Sequence, residues 1–307
     1  MVRPSGGPVW KGVLVAITTP FEKDGTIDHP SFIRHAHWMA DRGVDGIIVA
    51  GSLGEGSSLS AEERTSLVSD LVTVLPPHVP VVAAVAAART SDAVDQAQRA
   101  AHAGARGLLV LPPYVYRGDR QETNAHFDSV FRATNLSCML YNNPAAYGTD
   151  VSPEQVLELV EGHPNLGGVK ESSGDIRRIT ALRALAGDRI SVAVGLDDAI
   201  LEGLHAGADG WVAGLANAFP DESVALFAAA IRGDSAGAAA LNRWFLPLLR
   251  MDTGPKFVQL IKLVQEEMGQ GNSRVRPPRL ELGAPERQAA LDTLQGCLRH
   301  RPPQFSR

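Results

Sequence analysis

Cysteine is nearly absent from this chain, with only Cys138 and Cys297 in 307 residues. Two thiols so far apart exclude a disulfide framework, and they lack the spacing of a metal-binding pair, so a reducing cytoplasm is the expected setting. Basic residues are not in excess either. Lys and Arg number 29 against 34 Asp and Glu, leaving a formal net charge of −5. That balance gives no electrostatic footprint for DNA, RNA or anionic lipid. No apolar run approaches the ~20 residues that a membrane span needs. Met1–Trp10 is short, rich in Pro and Gly, and lacks the apolar core of a secretion signal. His29, His35 and His37 form the one histidine cluster, but His35 and His37 stand two apart on a predicted helix and share no face, which argues against a metal site.

What the chain does contain is a regular alternation. With 44% apolar residues, 30 Gly and 20 Pro it can bury a large core, as one α/β domain or two smaller ones. Eight short runs rich in Val, Ile, Leu and Ala read as strands covered on both faces, namely Gly12–Pro20, Gly46–Gly51, Val79–Ala86, Gly107–Pro113, Ser137–Pro144, Leu166–Ser173, Ser191–Asp198 and Gly210–Asn217. Helical patterns lie between them, such as Pro30–Asp41, Ala61–Leu75, Ser91–Ala103, Gln121–Thr134, Pro153–Glu161 and Ile176–Ala186. Ser60 with Glu63, and Ser152 with Pro153, are helix-start signals. Eight successive βα units predict a closed (β/α)8 TIM barrel over residues 9–233 rather than an open doubly wound sheet. Ala236–Met251, Lys256–Met268 and Pro285–His300 exceed what a barrel needs and read as a C-terminal three-helix extension over residues 234–301.

A barrel places chemistry at the C-terminal ends of its strands. Strand two ends in Gly51-Ser-Leu-Gly-Glu55, strand five in Tyr141-Asn-Asn-Pro144, strand six in Lys170-Glu171-Ser172 and strand seven in Gly195-Leu-Asp-Asp198. Lys170 follows the apolar run Leu166-Gly-Gly-Val169, where a solvated ammonium is out of place. One reading is a desolvated, nucleophilic amine that condenses with a carbonyl. The other is a strand-end lysine that snorkels to water or pairs with Glu171. Tyr141, from the neighbouring strand, can serve as a proton shuttle, and Ser52 with adjacent amides can hold a carboxylate or merely cap a loop. Asn142 and Asn143 contact substrate or satisfy loop backbone. Asp197 and Asp198 could form an acid pair, but adjacent strand residues point to opposite faces, which argues against paired acid/base work, and one of them is expected to cap the next helix. Glu55 reads as a structural carboxylate bonded to loop amides, and Trp211 and Trp244 as packing residues.

Tyr141-Asn-x-Pro144, Gly168-Val-Lys170-Glu171 and Gly51-Ser-x-Gly-Glu55 resemble the dihydrodipicolinate synthase / N-acetylneuraminate lyase family of class I lyases, over nearly the whole chain from Val13–Pro20 onward. The resemblance implies a lysine Schiff base with a 2-oxo acid, no metal or organic cofactor, and a homotetramer built as a dimer of dimers. It implies Lys170 and Tyr141 as catalytic residues, and Gly51, Ser52, Leu53, Asn143, Ser172, Gly195 and Val212 as substrate contacts. Tyr114 resembles a position that interlocks subunits, although it also suits a rim aromatic. Departures from the lysine-biosynthesis members are Leu53 for a second hydroxyl residue, Val115 for a relay tyrosine and Ala146 for a carboxylate-binding arginine. Tyr141-Asn-Asn-Pro-x-x-Tyr-Gly148, Val169-Lys-Glu-Ser-Ser173, Gly210-Trp-Val-Ala-Gly-Leu215, Arg243-Trp-Phe-x-Pro-Leu-Leu249 and Val275-Arg-Pro-Pro-Arg279 are similar to the subgroup that deaminates 1-pyrroline-4-hydroxy-2-carboxylate in hydroxyproline catabolism. The expected substrate is therefore a cyclic imine or 2-oxo acid. The alternatives are a pyruvate-forming aldolase of a 2-keto-3-deoxy sugar acid or 4-hydroxy-2-oxoglutarate, dihydrodipicolinate synthase itself, and a catalytically idle 2-oxo-acid-binding protein.

Overall fold

Short, doubly covered apolar runs can satisfy their backbone only by pairing with one another. In the computed structural model, which describes residues 9–305, eight of them do so as a closed parallel barrel. The strands are β1 (Gly12–Ala16), β2 (Gly46–Val49), β3 (Val81–Val85), β4 (Gly107–Val110), β5 (Ser137–Asn142), β6 (Leu166–Glu171), β7 (Ser191–Val194) and β8 (Gly210–Ala213), and β8 returns to pair with β1. The predicted runs are longer than the strands because their apolar ends continue into the loops at the barrel mouth. The reading of the first ten residues falls mostly on residues 1–8, outside the described residues.

The barrel is ringed by α1 (His29–Ala40), α2 (Ala61–Val74), α3 (Thr90–His102), α4 (Arg120–Arg132), the single turn α5 (Pro144–Tyr147), α6 (Pro153–Gly162), α7 (Arg177–Ala186), α8 (Ile200–His205) and α9 (Pro220–Ile231). The start signals act as expected. Ser60 Oγ accepts the Glu63 amide at 3.1 Å while Glu63 Oε2 accepts the Ser60 amide at 2.8 Å. Alternation along each strand separates two cores. Leu14, Ile48, Val82, Leu109, Met139 and Val212 fill the barrel, whereas Val13, Ile47, Val81, Leu108, Leu140 and Val169 face the helices. Trp10 seals the far end, its indole N–H donating to Ser137 Oγ at 2.7 Å, so the mouth at the strand C-termini is the open end. No helix among the described residues is long and apolar enough to cross a membrane.

Beyond the barrel run α10 (Ser235–Leu249), α11 (Phe257–Glu267) and α12 (Ala284–Arg299). Trp244 stacks on Phe245 at 5.2 Å and donates to the Cys297 carbonyl at 2.8 Å, joining α10 to α12. Lys262 of α11 is 1% exposed and its ammonium donates to Glu55 Oε1 and the Thr19 carbonyl, both at 2.8 Å, and to the Arg274 carbonyl. The other Glu55 oxygen accepts the Arg276 amide at 3.0 Å. Glu55 is thus structural, but the amide it holds belongs to the C-terminal segment rather than to its own loop.

Breaking one partner of such a fully buried pair strands the other charge. Glu55→Ala is expected to cost about 3–5 kcal/mol in urea unfolding, with Glu55→Gln/Lys262→Met losing less than the two single changes summed; a loss below about 1 kcal/mol would contradict this role. A second prediction concerns pH. His35 is buried, stacks on Trp38 at 5.6 Å, and has its pKa pushed by burial from 6.5 down to about 4. Below pH 6.5 the unfolded chain binds a proton that the folded chain refuses, so stability falls until about pH 4, where the folded form also protonates. Between those pH values the wild-type protein should lose roughly 3 kcal/mol more than His35→Gln, as followed by denaturant titration at each pH.

Candidate active site

The mouth is organised by one irregularity between β5 and β6. Cys138 pairs with Leu166, but Met139 pairs with Gly168, so Gly167 is an extra residue on β6. From there Tyr141 lies opposite Lys170, and both side chains point into the barrel. Lys170 Nζ stands 4.0 Å from the centre of the Tyr141 ring. The two residues are 7% and 5% exposed, so the amine does not reach for water. Nor does it pair with Glu171, which faces outward, accepts from Ser173 N at 2.6 Å and Asn142 Nδ2 at 3.1 Å, and pairs with Arg178 at 3.4 Å. Burial holds the Lys170 pKa below the ordinary lysine value, against the opposing charges of Tyr147, Asp252 and Asp197. A larger share of neutral, nucleophilic amine at neutral pH follows. Burial also raises the Tyr141 phenol, keeping its proton in place for transfer.

The remaining expected site residues divide by where their side chains go. Ser172 Oγ is buried in the mouth beside the Tyr141 phenol. Gly195 lies against it and against Lys170, since a Cβ there would stand 2.1 Å from Ser172 Oγ and 2.4 Å from Lys170 Cε. Val212 faces the barrel interior from β8. Asn143 Nδ2 donates to the Tyr141 hydroxyl at 3.2 Å, while its Oδ1 accepts the Ala146 amide at 3.1 Å and so starts α5. Asn142 is the structural one of the two, its Oδ1 accepting Val151 N at 2.9 Å. Gly51 and Ser52 belong to a tight loop bracketed by two residues in the left-handed region, Ala50 (φ 57°) and Glu55 (φ 55°). Such backbone strain clusters where function constrains geometry. Leu53 sends its side chain into the core between barrel and helices, so any contact it makes in the mouth is through its backbone.

One expectation is overturned. Neither Asp197 nor Asp198 caps a helix. Asp197 is fully buried and accepts Trp211 Nε1 at 2.8 Å, Leu215 N at 2.7 Å and Gly214 N at 3.1 Å, stapling the end of β8. The unpaired amides of the β8 turn outcompete the helix start for this carboxylate. Burial nevertheless lifts its pKa to about 6. Trp211 is therefore a packing residue that also carries a hydrogen bond.

Two residues at the mouth were not singled out by the sequence. Tyr147, at the end of α5, meets the Tyr141 ring edge-on at 5.5 Å and is hydrogen-bonded through its hydroxyl to Ser52 Oγ. Tyr114, on the rim, lies 6.5 Å from the Tyr147 ring. Asp252 follows α10 and presses its carboxyl against Gly214, where a Cβ would be 2.2 Å from Oδ1. Burial and the nearby Asp197 raise its pKa well above the usual carboxylate range. Neither residue is at a strand end, which is where the sequence reading looked. Among the described residues no group of three or more His, Cys, Asp or Glu is placed to hold a metal ion.

The profile of the dihydrodipicolinate synthetase family matches residues 9–296. A 4-hydroxy-tetrahydrodipicolinate synthase of Agrobacterium fabrum is 32% identical over 284 residues, spanning 92% of this chain and 97% of that protein. YjhH of Escherichia coli K12, named a probable 2-dehydro-3-deoxy-D-pentonate aldolase, is 31% identical over 298 residues, spanning 94% of this chain and 98% of that protein. Among solved structures, YagE of E. coli K12, a member of the dihydrodipicolinic acid synthase family in complex with pyruvate, superposes with a TM-score of 0.88 at 28% identity, covering 94% of this chain and 98% of that one.

The crowding at Gly195 yields a test. Gly195→Ala should leave the fold intact, because the atoms it meets belong to the Ser172 and Lys170 side chains and not to backbone, but displace the Lys170 amine by roughly 1 Å and slow borohydride trapping of pyruvate by about 10²-fold. Unchanged trapping, with circular dichroism also unchanged, would show that the amine is not positioned by this contact.

Proposed function

This chain belongs to the dihydrodipicolinate synthetase family and is an enzyme of it, and we propose that it acts as a Schiff-base-forming deaminase on 1-pyrroline-4-hydroxy-2-carboxylate. The observation that carries the Schiff-base chemistry is the dry Lys170 amine, 4.0 Å above the Tyr141 ring and free of any carboxylate partner on its own strand. A buried amine whose pKa is held down by desolvation, with a phenol beside it, suits carbinolamine formation and loss of water. The relative that holds pyruvate supports a 2-oxo acid as the general substrate class.

The choice within the family rests on resemblance and on the departures. Ala146 offers no cation to a second carboxylate, and Val115, 75% exposed, offers no hydroxyl, which disfavours dihydrodipicolinate synthase activity. In the proposed reaction Lys170 attacks C2 of the cyclic imine, and transimination opens the ring to a free C5 amine. Loss of a C3 proton gives an enamine that expels the C4 hydroxyl as water, with Tyr141 moving the protons. Tautomerisation converts the C5 amine to an aldimine. Two water molecules then hydrolyse it and the lysine imine, so one net water yields 2,5-dioxopentanoate and ammonia. The reading includes a homotetramer and a reaction without metal or organic cofactor, both carried by the resemblance.

The decisive assay measures ammonia from the cyclic imine against pyruvate from 2-keto-3-deoxy sugar acids and 4-hydroxy-2-oxoglutarate. Ammonia release with kcat/KM at least about 10²-fold above any pyruvate-forming rate is expected, and its loss to background in Lys170→Ala together with loss of the borohydride mass gain. Pyruvate as the dominant product would replace the deaminase reading with an aldolase.

A further inference from the structure

The Tyr141 phenol cannot serve as a shuttle for more than one proton unless something resupplies it. Tyr141 is only 5% exposed. Val115, the departure from the relay tyrosine of the lysine-biosynthesis members, is 75% exposed. What lies against Tyr141 instead is Tyr147, ring to ring at 5.5 Å and 77°. The Tyr147 hydroxyl is hydrogen-bonded to Ser52 Oγ, and both residues are half-buried whereas Tyr141 is buried. Asn143 fixes the pair. Its Nδ2 donates to the Tyr141 hydroxyl and its Oδ1 starts the single turn that carries Tyr147, which ends at Gly148 with φ 72°. The positions of the two phenols are therefore set by one side chain.

We propose that Tyr147, supplied by the same chain, passes protons between the Tyr141 phenol and solvent by way of Ser52. This inference rests on the Schiff-base reading of Lys170. The steps balance as follows. Tyr141 gives its proton to the carbinolamine hydroxyl, which leaves as water, and the iminium and a phenolate remain. The phenolate then takes a C3 proton, giving the enamine and a neutral phenol. Without a relay that proton can only return to C3. With one, it leaves through Tyr147 and Ser52 and a solvent proton replaces it. Tyr147 acts through Tyr141 and is a positioning residue; it need not touch substrate.

The consequence is a separation between two measurable events. Borohydride trapping with pyruvate reports formation of the Lys170 imine, and wash-in of deuterium at C3 of pyruvate in D2O reports proton traffic through Tyr141. Tyr147→Phe should trap pyruvate at a rate within about threefold of wild type yet exchange C3 at least about 10²-fold more slowly, the range attributed to a positioned acid or base. Ser52→Ala should lower the ratio of exchange to trapping by about tenfold, whatever it does to trapping itself through its expected contact with the substrate carboxylate. Tyr114→Phe, which keeps the ring contact and lies outside the path, should change neither. Exchange within threefold of wild type in Tyr147→Phe, or trapping that falls in step with exchange, overturns the relay and leaves the Schiff base standing. If Tyr147→Phe does not fold by circular dichroism, Ser52→Ala decides, and an unchanged ratio of exchange to trapping there overturns it. Failure of the wild-type protein to trap pyruvate at all sinks the Schiff-base reading and the relay with it.

Discussion

One additional residue in β6 determines which way the critical amine points. Leu166 pairs with Cys138 and both side chains face the helices. Regular alternation from there would turn Gly167 inward, Gly168 outward and Lys170 outward, into the helix layer. The bulge at Gly167 consumes one residue, so that Gly168 pairs with Met139, Val169 with Leu140 and Lys170 with Tyr141. Every later side chain on the strand changes face, which is the general effect of such an insertion. The lysine enters the barrel, and Glu171 is sent out to Arg178. Trp10 underlies the bulge, and a Cβ at Gly167 would stand 2.6 Å from Ser137 Oγ and 3.2 Å from the indole nitrogen. The far end of the barrel thus helps to set the register at the mouth.

The loop after β2 is held by a different device. Ala50 and Glu55 are both in the left-handed region, which costs non-glycine residues on the order of 1 kcal/mol or more each. A free loop would relax. Glu55 is anchored by Lys262 and the Arg276 amide, and Arg276 in turn pairs with Glu63 at 2.8 Å at the start of α2. The C-terminal helices therefore do more than cover the barrel: they keep Gly51 and Ser52 at the height where Ser52 meets Tyr147. Stability and site geometry share these contacts.

The barrel was legible because each strand is short and apolar, because helices such as α2 and α6 carry start signals, and because eight such units admit few other arrangements. Lys170 and Tyr141 were legible for a similar reason, as polar residues ending apolar runs. The bulge was not, since Gly167 and Gly168 look alike in sequence. The single turn of α5 carries no period, so Tyr147 stood in a motif without a visible position. Asp252 lies in a connection between helices, where no pattern ties it to the mouth; only the missing Cβ at Gly214 makes its approach possible. For Asp197 the local rule pointed to a helix cap, but a carboxylate in the interior goes to whichever amides lack partners, and here those belong to the β8 turn.

These placements give the mouth a common electrostatic character. Burial disfavours charge on Lys170, Tyr141, Asp197 and Asp252 alike, lowering the amine and raising the acids. A site whose groups are all pressed toward neutrality is suited to moving protons. That matches a reaction in which the electron sink, the protonated imine, is created on the lysine during turnover rather than held in advance. Ala146, exposed at the rim, lies apart from these groups, so the absence of a guanidinium there leaves the dry strand end and the phenol beside the amine unchanged.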